Sequence, residues 1–199
     1  LVDALAEFAV LQRRVQALLA ARGYRVILVE YPGYGGRSGK PGERSFLNAA
    51  RETVHCAFNE YGGPVYLVGE SLGCAVVAWL AGHASVPVDG IVLFTPWDTL
   101  LKVAGEKVPS FVAGLILKDR YDSIANLKAF RNRVAIVGAG RDDIIPVEHA
   151  KSLYDSYAGQ KRMWIIPQAG HNDWPLFVGP DKIKDIMDFL SGSSDPKKQ

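Results

Sequence analysis

Residues 64–84 read PVYLVGESLGCAVVAWLAGHA. Val65 to Val68 is a short apolar run suited to a strand, and an apolar helix follows from Leu72 to about Ala81. Between them Gly69-Glu70-Ser71-Leu72-Gly73 leaves room only for a sharp turn. A serine hydroxyl is a poor nucleophile unless it is held exposed beside a base and an oxyanion trap. A tight strand-to-helix turn supplies the exposure, with Gly69 and Gly73 expected to leave room where side chains would clash. It also supplies part of the trap, because the first N–H groups of a helix have no partner within it. The five letters G-x-S-x-G alone are weak; the strand before and the helix after give them meaning.

Working outward toward the amino end, Leu5, Phe8, Leu11, Val15, Leu18 and Leu19 share one face of an expected helix over 3–22, which Gly23 ends. The β-branched run Arg25 to Glu30 suits a strand buried on both faces. Its glycine-rich continuation, YPGYGGRSGKPGE, is no phosphate loop: Tyr34 stands where that pattern needs glycine, and Pro41 follows Lys40 where Ser or Thr belongs. A second helix is expected over about 45–61, with Leu47, Ala50, Val54, Ala57 and Tyr61 inward, before Gly62-Gly63-Pro64 breaks it.

Toward the carboxyl end, strand patterns fall at 91–94, 134–137 and 163–166, and helical ones at about 147–157 and from Pro180 through Ile183, Ile186, Met187 and Leu190. Residues 98–130 are less regular and read either as a small lid or as connecting helices. The polar tail 191–199 is expected to be disordered. Strands alternating with amphipathic helices predict one α/β domain over 1–190, a doubly wound, mostly parallel sheet with helices on both faces.

In such a sheet reactive groups collect beyond the carboxyl ends of strands. Ser71 follows the first of the relevant strands, Asp142 lies in GAGRDDIIP after 134–137, and His171 lies in PQAGHNDW after 163–166. The order Ser, Asp, His is the one a nucleophile-elbow hydrolase produces. The base removes the serine proton and returns it to the leaving group, while the acid orients the ring. Asp143 and Asp173 are rival acids, and Asp142 or Asp143 could equally cap the helix near Val147. Asp173 is only two residues from His171, too near to reach the far ring nitrogen comfortably.

Composition excludes several classes. A net charge of +2 gives no argument for nucleic acid or anionic membrane as partner. The four histidines have no metal-ligand spacing, so no metal or cofactor is expected. Cys56 and Cys74 form no disulfide framework and are both read as buried free thiols. No apolar run is long enough to span a bilayer. No signal peptide is read, an absence of little weight because the chain opens on Leu1 as if in mid-domain; a cytoplasmic compartment is expected, and a targeting segment could lie upstream.

The segments RGYRVILVEYPGYGGRSGKPGE, LVGESLG, GRDDIIPVEHA and GHNDW resemble those of α/β-hydrolase-fold serine hydrolases, in particular the Bem46-like group that includes acyl-lipid and acyl-protein hydrolases. That resemblance implies Ser71 as nucleophile, His171 as base, Asp142 as acid with Pro146 as its anchor, and the Leu72 N–H as one oxyanion donor. It also implies amino-terminal strands, with a loop giving a second donor, that this sequence does not contain, so the fold is expected to be incomplete at that end. Tyr31, Tyr34, Trp97 and Trp174 follow strand ends and read either as walls of an apolar acyl pocket or as ordinary packing. The reading is a serine esterase or thioesterase acting on a small-molecule or lipid acyl ester. Its alternatives are a non-catalytic scaffold of the same fold and a peptidase of the prolyl-peptidase branch.

Overall fold

The computed structural model describes residues 13–107 and 118–193. Helix α1 covers 13–20. It is followed by α2 (Glu43–Tyr61), β1 (Tyr66–Glu70), α3 (Leu72–His83), β2 (Gly90–Phe94), α4 (Leu100–Lys107) and α5 (Ser123–Leu127). Then come β3 (Arg133–Ala139), α6 (Val147–Ser156), β4 (Lys161–Ile166), a 3₁₀ turn (Trp174–Phe177) and α7 (Pro180–Ser191). The four strands are all parallel in the order β1-β2-β3-β4, with Glu70 opposite Phe94, Phe94 opposite Val137 and Ala139 opposite Ile166.

Side-chain alternation along the strands divides the core in two. Ile91, Leu93, Val134 and Ile136 face α2, α3, α5 and α6. Val92, Phe94, Ala135 and Val137 face α1 and α7. β2 and β3 are central and apolar on both sides, as parallel strands covered by helices must be. α3 lies between sheet and helices and is apolar nearly all round, with Cys74, Ala75, Val76, Val77, Ala78 and Leu80 buried. α7 is a surface helix by contrast. It starts on Pro180, whose missing N–H costs nothing at a helix start, and buries Ile183, Ile186, Met187 and Leu190. Each of those four stabilises the second core by about 1.5–3 kcal/mol relative to exposure.

Four expectations change. Residues 25–30 form no strand; Ile27 and Leu28 are 43% and 61% exposed, although Val26 and Val29 pack on opposite cores. A strand buried on both faces needs a ladder partner and a cover on each side, and among the described residues β1 pairs only with β2. Tyr61 is 47% exposed instead of inward, because the Arg25 guanidinium lies over its ring at 3.8 Å and holds it at the surface. Cys56 is exposed, since α2 turns Phe46, Leu47, Ala49 and Ala50 inward and carries Cys56 on its other side; only Cys74 is buried. At the turn after β1, a side chain on Gly73 would meet nothing within 4 Å, so the clash expected there belongs to Gly69 alone.

Of the helix expected over 3–22, residues 3–12 lie outside the described residues, as do 108–117 of the lid-like stretch and 194–199 of the tail. No helix among the described residues is long and apolar enough to cross a membrane.

Candidate active site

The site is assembled on the first residues past the sheet. Ser71 sits between β1 and α3 with φ 49° and ψ −117°, a conformation that costs an L-residue roughly 1–3 kcal/mol. Gly69 permits it: a Cβ there would lie 2.6 Å from the Gly73 carbonyl oxygen and 2.8 Å from the Cα of Cys74. The Ser71 N–H is held by the carbonyl of Phe94 at 3.0 Å, which anchors the strained residue to β2. Leu72 opens α3, so its N–H is among the first of the helix, which have no partner within it.

Asp142 and His171 follow β3 and β4. His171 Nε2 lies 3.0 Å from Ser71 Oγ, and its Nδ1 lies 2.7 Å from Asp142 Oδ2. Pairing with the carboxylate puts the ring proton on Nδ1 and leaves Nε2 to accept from the serine. The other Asp142 oxygen accepts the N–H groups of Ile144 at 3.0 Å and Ile145 at 2.7 Å, so the carboxylate cannot swing away. His171 is 8% exposed and the Asp142 side chain 1%. Asp143 is exposed, and Asp173 turns back to accept the Gly170 N–H at 2.6 Å; neither touches the ring.

The loops carrying Asp142 and His171 are joined directly. The Arg141 N–H donates to the carbonyl of Ala169 at 2.8 Å. Gly140 makes that approach possible, since a Cβ on it would lie 2.8 Å from the Cα of Pro167. No motif singles out Gly140, although Gly138-Ala139-Gly140 just before Asp142 is the kind of small-residue run that lets two backbones meet.

The four rim aromatics do not converge. Tyr31 stacks on Phe46 at 4.6 Å and Tyr34, half exposed, meets the same ring edge-on at 5.8 Å. Burial, and then the neighbouring Cys74, push the Tyr31 hydroxyl up to about 12, so it stays neutral. Trp97 is buried in the same core, its indole N–H without a partner among the described residues. Trp174 belongs to the opposite core, stacked on Phe94 at 4.0 Å. An open cavity of about 410 Å³ lies elsewhere, at the start of α2, lined by Gly42, Glu43, Arg44, Ser45, Asn48 and Asp119.

A second buried polar group, which no motif announced, stands behind the acid loop. Asp98, its side chain 2% exposed, accepts from His149 Nδ1 at 2.8 Å, Lys102 Nζ at 2.6 Å, Ser152 Oγ at 2.9 Å and the Thr99 N–H at 2.7 Å. The other nitrogen of His149 faces Glu106 of α4 at 3.1 Å. Burial pushes the Asp98 carboxyl up, but the bonds from Lys102, His149, Thr99 and Ser152 outweigh it and hold the group below the ordinary carboxylate range. This network ties α4 to α6, the helix that begins directly after the acid loop.

Several known proteins share this architecture. An uncharacterized protein of Mycobacterium tuberculosis is 32% identical over 172 residues, covering 85% of this chain and 60% of its own. The lysophosphatidylserine lipase ABHD12 of Danio rerio is 26% identical over 198 residues, covering 87% of this chain and 52% of its own. This chain therefore spans a little more than half the length of such relatives. The structure of Est1E from Butyrivibrio proteoclasticus with ferulic acid superposes with a TM-score of 0.74 at 18% identity, covering 90% of this chain and 82% of that one. Residues 1–127 match the family described as the alpha/beta hydrolase fold, and with its parallel sheet, helices on both faces and strand-end loops this chain belongs to that family.

Proposed function

We propose that the chain is a serine hydrolase that cleaves carboxylic ester or thioester bonds of acyl substrates. The observation that carries the reading is the unbroken line from Asp142 through His171 to Ser71, with contacts of 2.7 and 3.0 Å. His171 Nε2 takes the Ser71 proton as Oγ bonds to the acyl carbon. The tetrahedral oxyanion takes a hydrogen bond from the Leu72 N–H. Its collapse breaks the bond to the leaving alcohol or thiol, which receives the proton from His171. Water then gives its proton to His171 and attacks the acyl-enzyme, and the second collapse frees the acid and returns the proton to Ser71. Asp142 keeps the ring in the required tautomer and stabilises the imidazolium. The route needs no metal and no cofactor.

The substrate we infer is an acyl lipid or a comparable apolar ester, and the subgroup we infer is the Bem46-like one that the sequence resembles. The lipase activity named for the Danio rerio relative supports this. A fluorophosphonate probe tests the reading: labelling of the wild type that disappears in Ser71→Ala supports it, and absence of labelling in folded protein favours a non-catalytic scaffold. Across a series of linear esters, each added methylene should raise kcat/KM about fourfold, the equivalent of about 0.8 kcal/mol, until the pocket is full. Flat activity from short to medium chains would remove the acyl pocket, and turnover of peptides alone would move the chain to the peptidase branch.

A further inference from the structure

The acid and base loops are tied to each other by the bond from Arg141 to Ala169, but the nucleophile sits on a different strand. What keeps it in register with the base is a contact outside the triad. Glu70, the last residue of β1 and the neighbour of Ser71, accepts a hydrogen bond from the indole Nε1–H of Trp174 at 2.9 Å. Trp174 lies three residues beyond His171 and opens the 3₁₀ turn that closes the histidine loop. The indole is 2% exposed, and its ring stacks on Phe94 with centroids 4.0 Å apart and planes 12° from parallel. Phe94 is in turn the register partner of Glu70, and its carbonyl accepts the Ser71 N–H. Strand end, nucleophile and histidine loop thus meet around one indole.

We propose that Glu70 and Trp174 are positioning residues, a clamp that holds the histidine loop over the nucleophile turn and so sets the distance between Ser71 Oγ and His171 Nε2. The inference rests on the serine-hydrolase reading, with Ser71 as nucleophile. Stacking alone cannot set that distance, because a flat ring can slide along Phe94. A directed N–H bond to the residue beside Ser71 instead fixes where along the strand the loop stops. A buried indole N–H also demands a partner, since leaving it unpaired costs about 1–3 kcal/mol. The loop is therefore held where Glu70 offers its oxygen. An aromatic residue placed after the histidine would otherwise be read as a substrate wall; here its polar edge points at the protein's own nucleophile strand. Displacing a catalytic group by about 1 Å is enough to lose about 10²-fold in rate.

The test uses Trp174→Phe, which keeps the stack and deletes the N–H, alongside Glu70→Ala and Glu70→Gln, all in the full chain. On a short ester, W174F and E70A should each lower kcat about 10- to 100-fold with KM within a factor of about three. The double variant E70A/W174F should be no worse than the weaker single, as for two halves of one bond. E70Q keeps an acceptor oxygen and should recover most of the loss. A crystal structure of W174F gives a readout independent of turnover: Ser71 Oγ and His171 Nε2 should separate beyond hydrogen-bond distance while the sheet is unchanged. The clamp is overturned if W174F keeps both the wild-type kcat and the wild-type distance, or if the two losses multiply. It is also overturned if E70Q is as impaired as E70A while W174F is not, because the carboxylate's charge would then be what matters. Failure of the underlying reading looks different: Ser71→Ala would retain turnover, or the wild type would show none, and the crystallographic distance in W174F would then decide the clamp by itself.

Discussion

Asp98→Ala strikes the buried network behind the acid loop, and its cost can be worked from the contacts. The side chain is 2% exposed and accepts from four donors. Of these, Lys102 is 56% exposed and regains water when released, so its share is small. His149, at 7%, has no such recourse, and the Thr99 N–H and Ser152 hydroxyl, both part-buried, have less of it than Lys102. Leaving a buried donor without its partner costs about 1–3 kcal/mol. In a domain of this size that lowers Tm by roughly 2–12 °C. Thermal unfolding followed by circular dichroism at pH 7 measures it directly. The sign of the pH dependence follows from the lowered carboxyl: a group held below its unfolded value of about 3.9 stabilises the fold above that pH and loses its contribution as pH falls through the native value. The gap between wild type and D98A should therefore be full near neutrality and narrow below about pH 4. A Tm loss under about 2 °C at pH 7, or a gap of constant size down to pH 3, would refute the account of the network as a source of stability.

Asp142→Asn should leave the fold intact and lower kcat by about 10⁴, because the amide favours the wrong histidine tautomer; a loss under tenfold in ester turnover would exclude Asp142 as the acid. Gly69→Ala should be destabilised by about 1–3 kcal/mol or more, since its Cβ meets backbone atoms at 2.6–2.8 Å, whereas Gly73→Ala should melt with the wild type because nothing lies within 4 Å. Equal melting temperatures for the two would contradict the close approach of strand and helix at Gly69.

Much of the scaffold was legible because local periodicity encodes it. The runs at 91–94, 134–137 and 163–166 and the stripe Ile183, Ile186, Met187, Leu190 say where strands and a helix lie without knowledge of anything distant. That Ser71, Asp142 and His171 fall at one edge was readable for the same reason, since each lies in the segment that follows a strand and parallel strands deliver their ends to one edge. What stayed hidden depends on partners far along the chain. Residues 25–30 have the composition of a buried strand, yet strand formation depends on a neighbour's free ladder, which composition does not report. Cys56 lies on a helix with several inward residues, and only the helix's rotation decides its side. Trp174 announces an aromatic surface, while the bond that fixes its orientation comes from Glu70, 104 residues away. Asp98 and His149 are 51 residues apart and match no spacing rule.

The precision of the site follows from how the sheet ends. At each of three strands the ladder continues one residue past the last strand residue before the chain turns away. Ser71 N–H donates to Phe94 O at 3.0 Å, Thr95 N–H to Val137 O at 2.8 Å, and Gly140 N–H to Ile166 O at 2.9 Å. The same step is repeated across the sheet, so the starting points of the nucleophile turn, the β2 loop and the acid loop are related by the register of the strands themselves. Two of the three starting residues, Ser71 and Thr95, have positive φ of 49° and 48°, and for a β-branched residue such as Thr95 that is a true outlier. Strain of this kind persists only where the surroundings over-determine the backbone. Here the extended ladder does so, and it turns the chain sharply enough to lift Ser71 clear of the sheet. The histidine loop has no such ladder step, because β4 has no further strand beyond it among the described residues. Its position depends instead on lateral ties, Arg141 to Ala169 on the acid side and Trp174 to Glu70 on the nucleophile side. Of the three residues of the proposed triad, His171 is thus the one whose placement rests most on side chains, and substitutions outside the three should act first through His171.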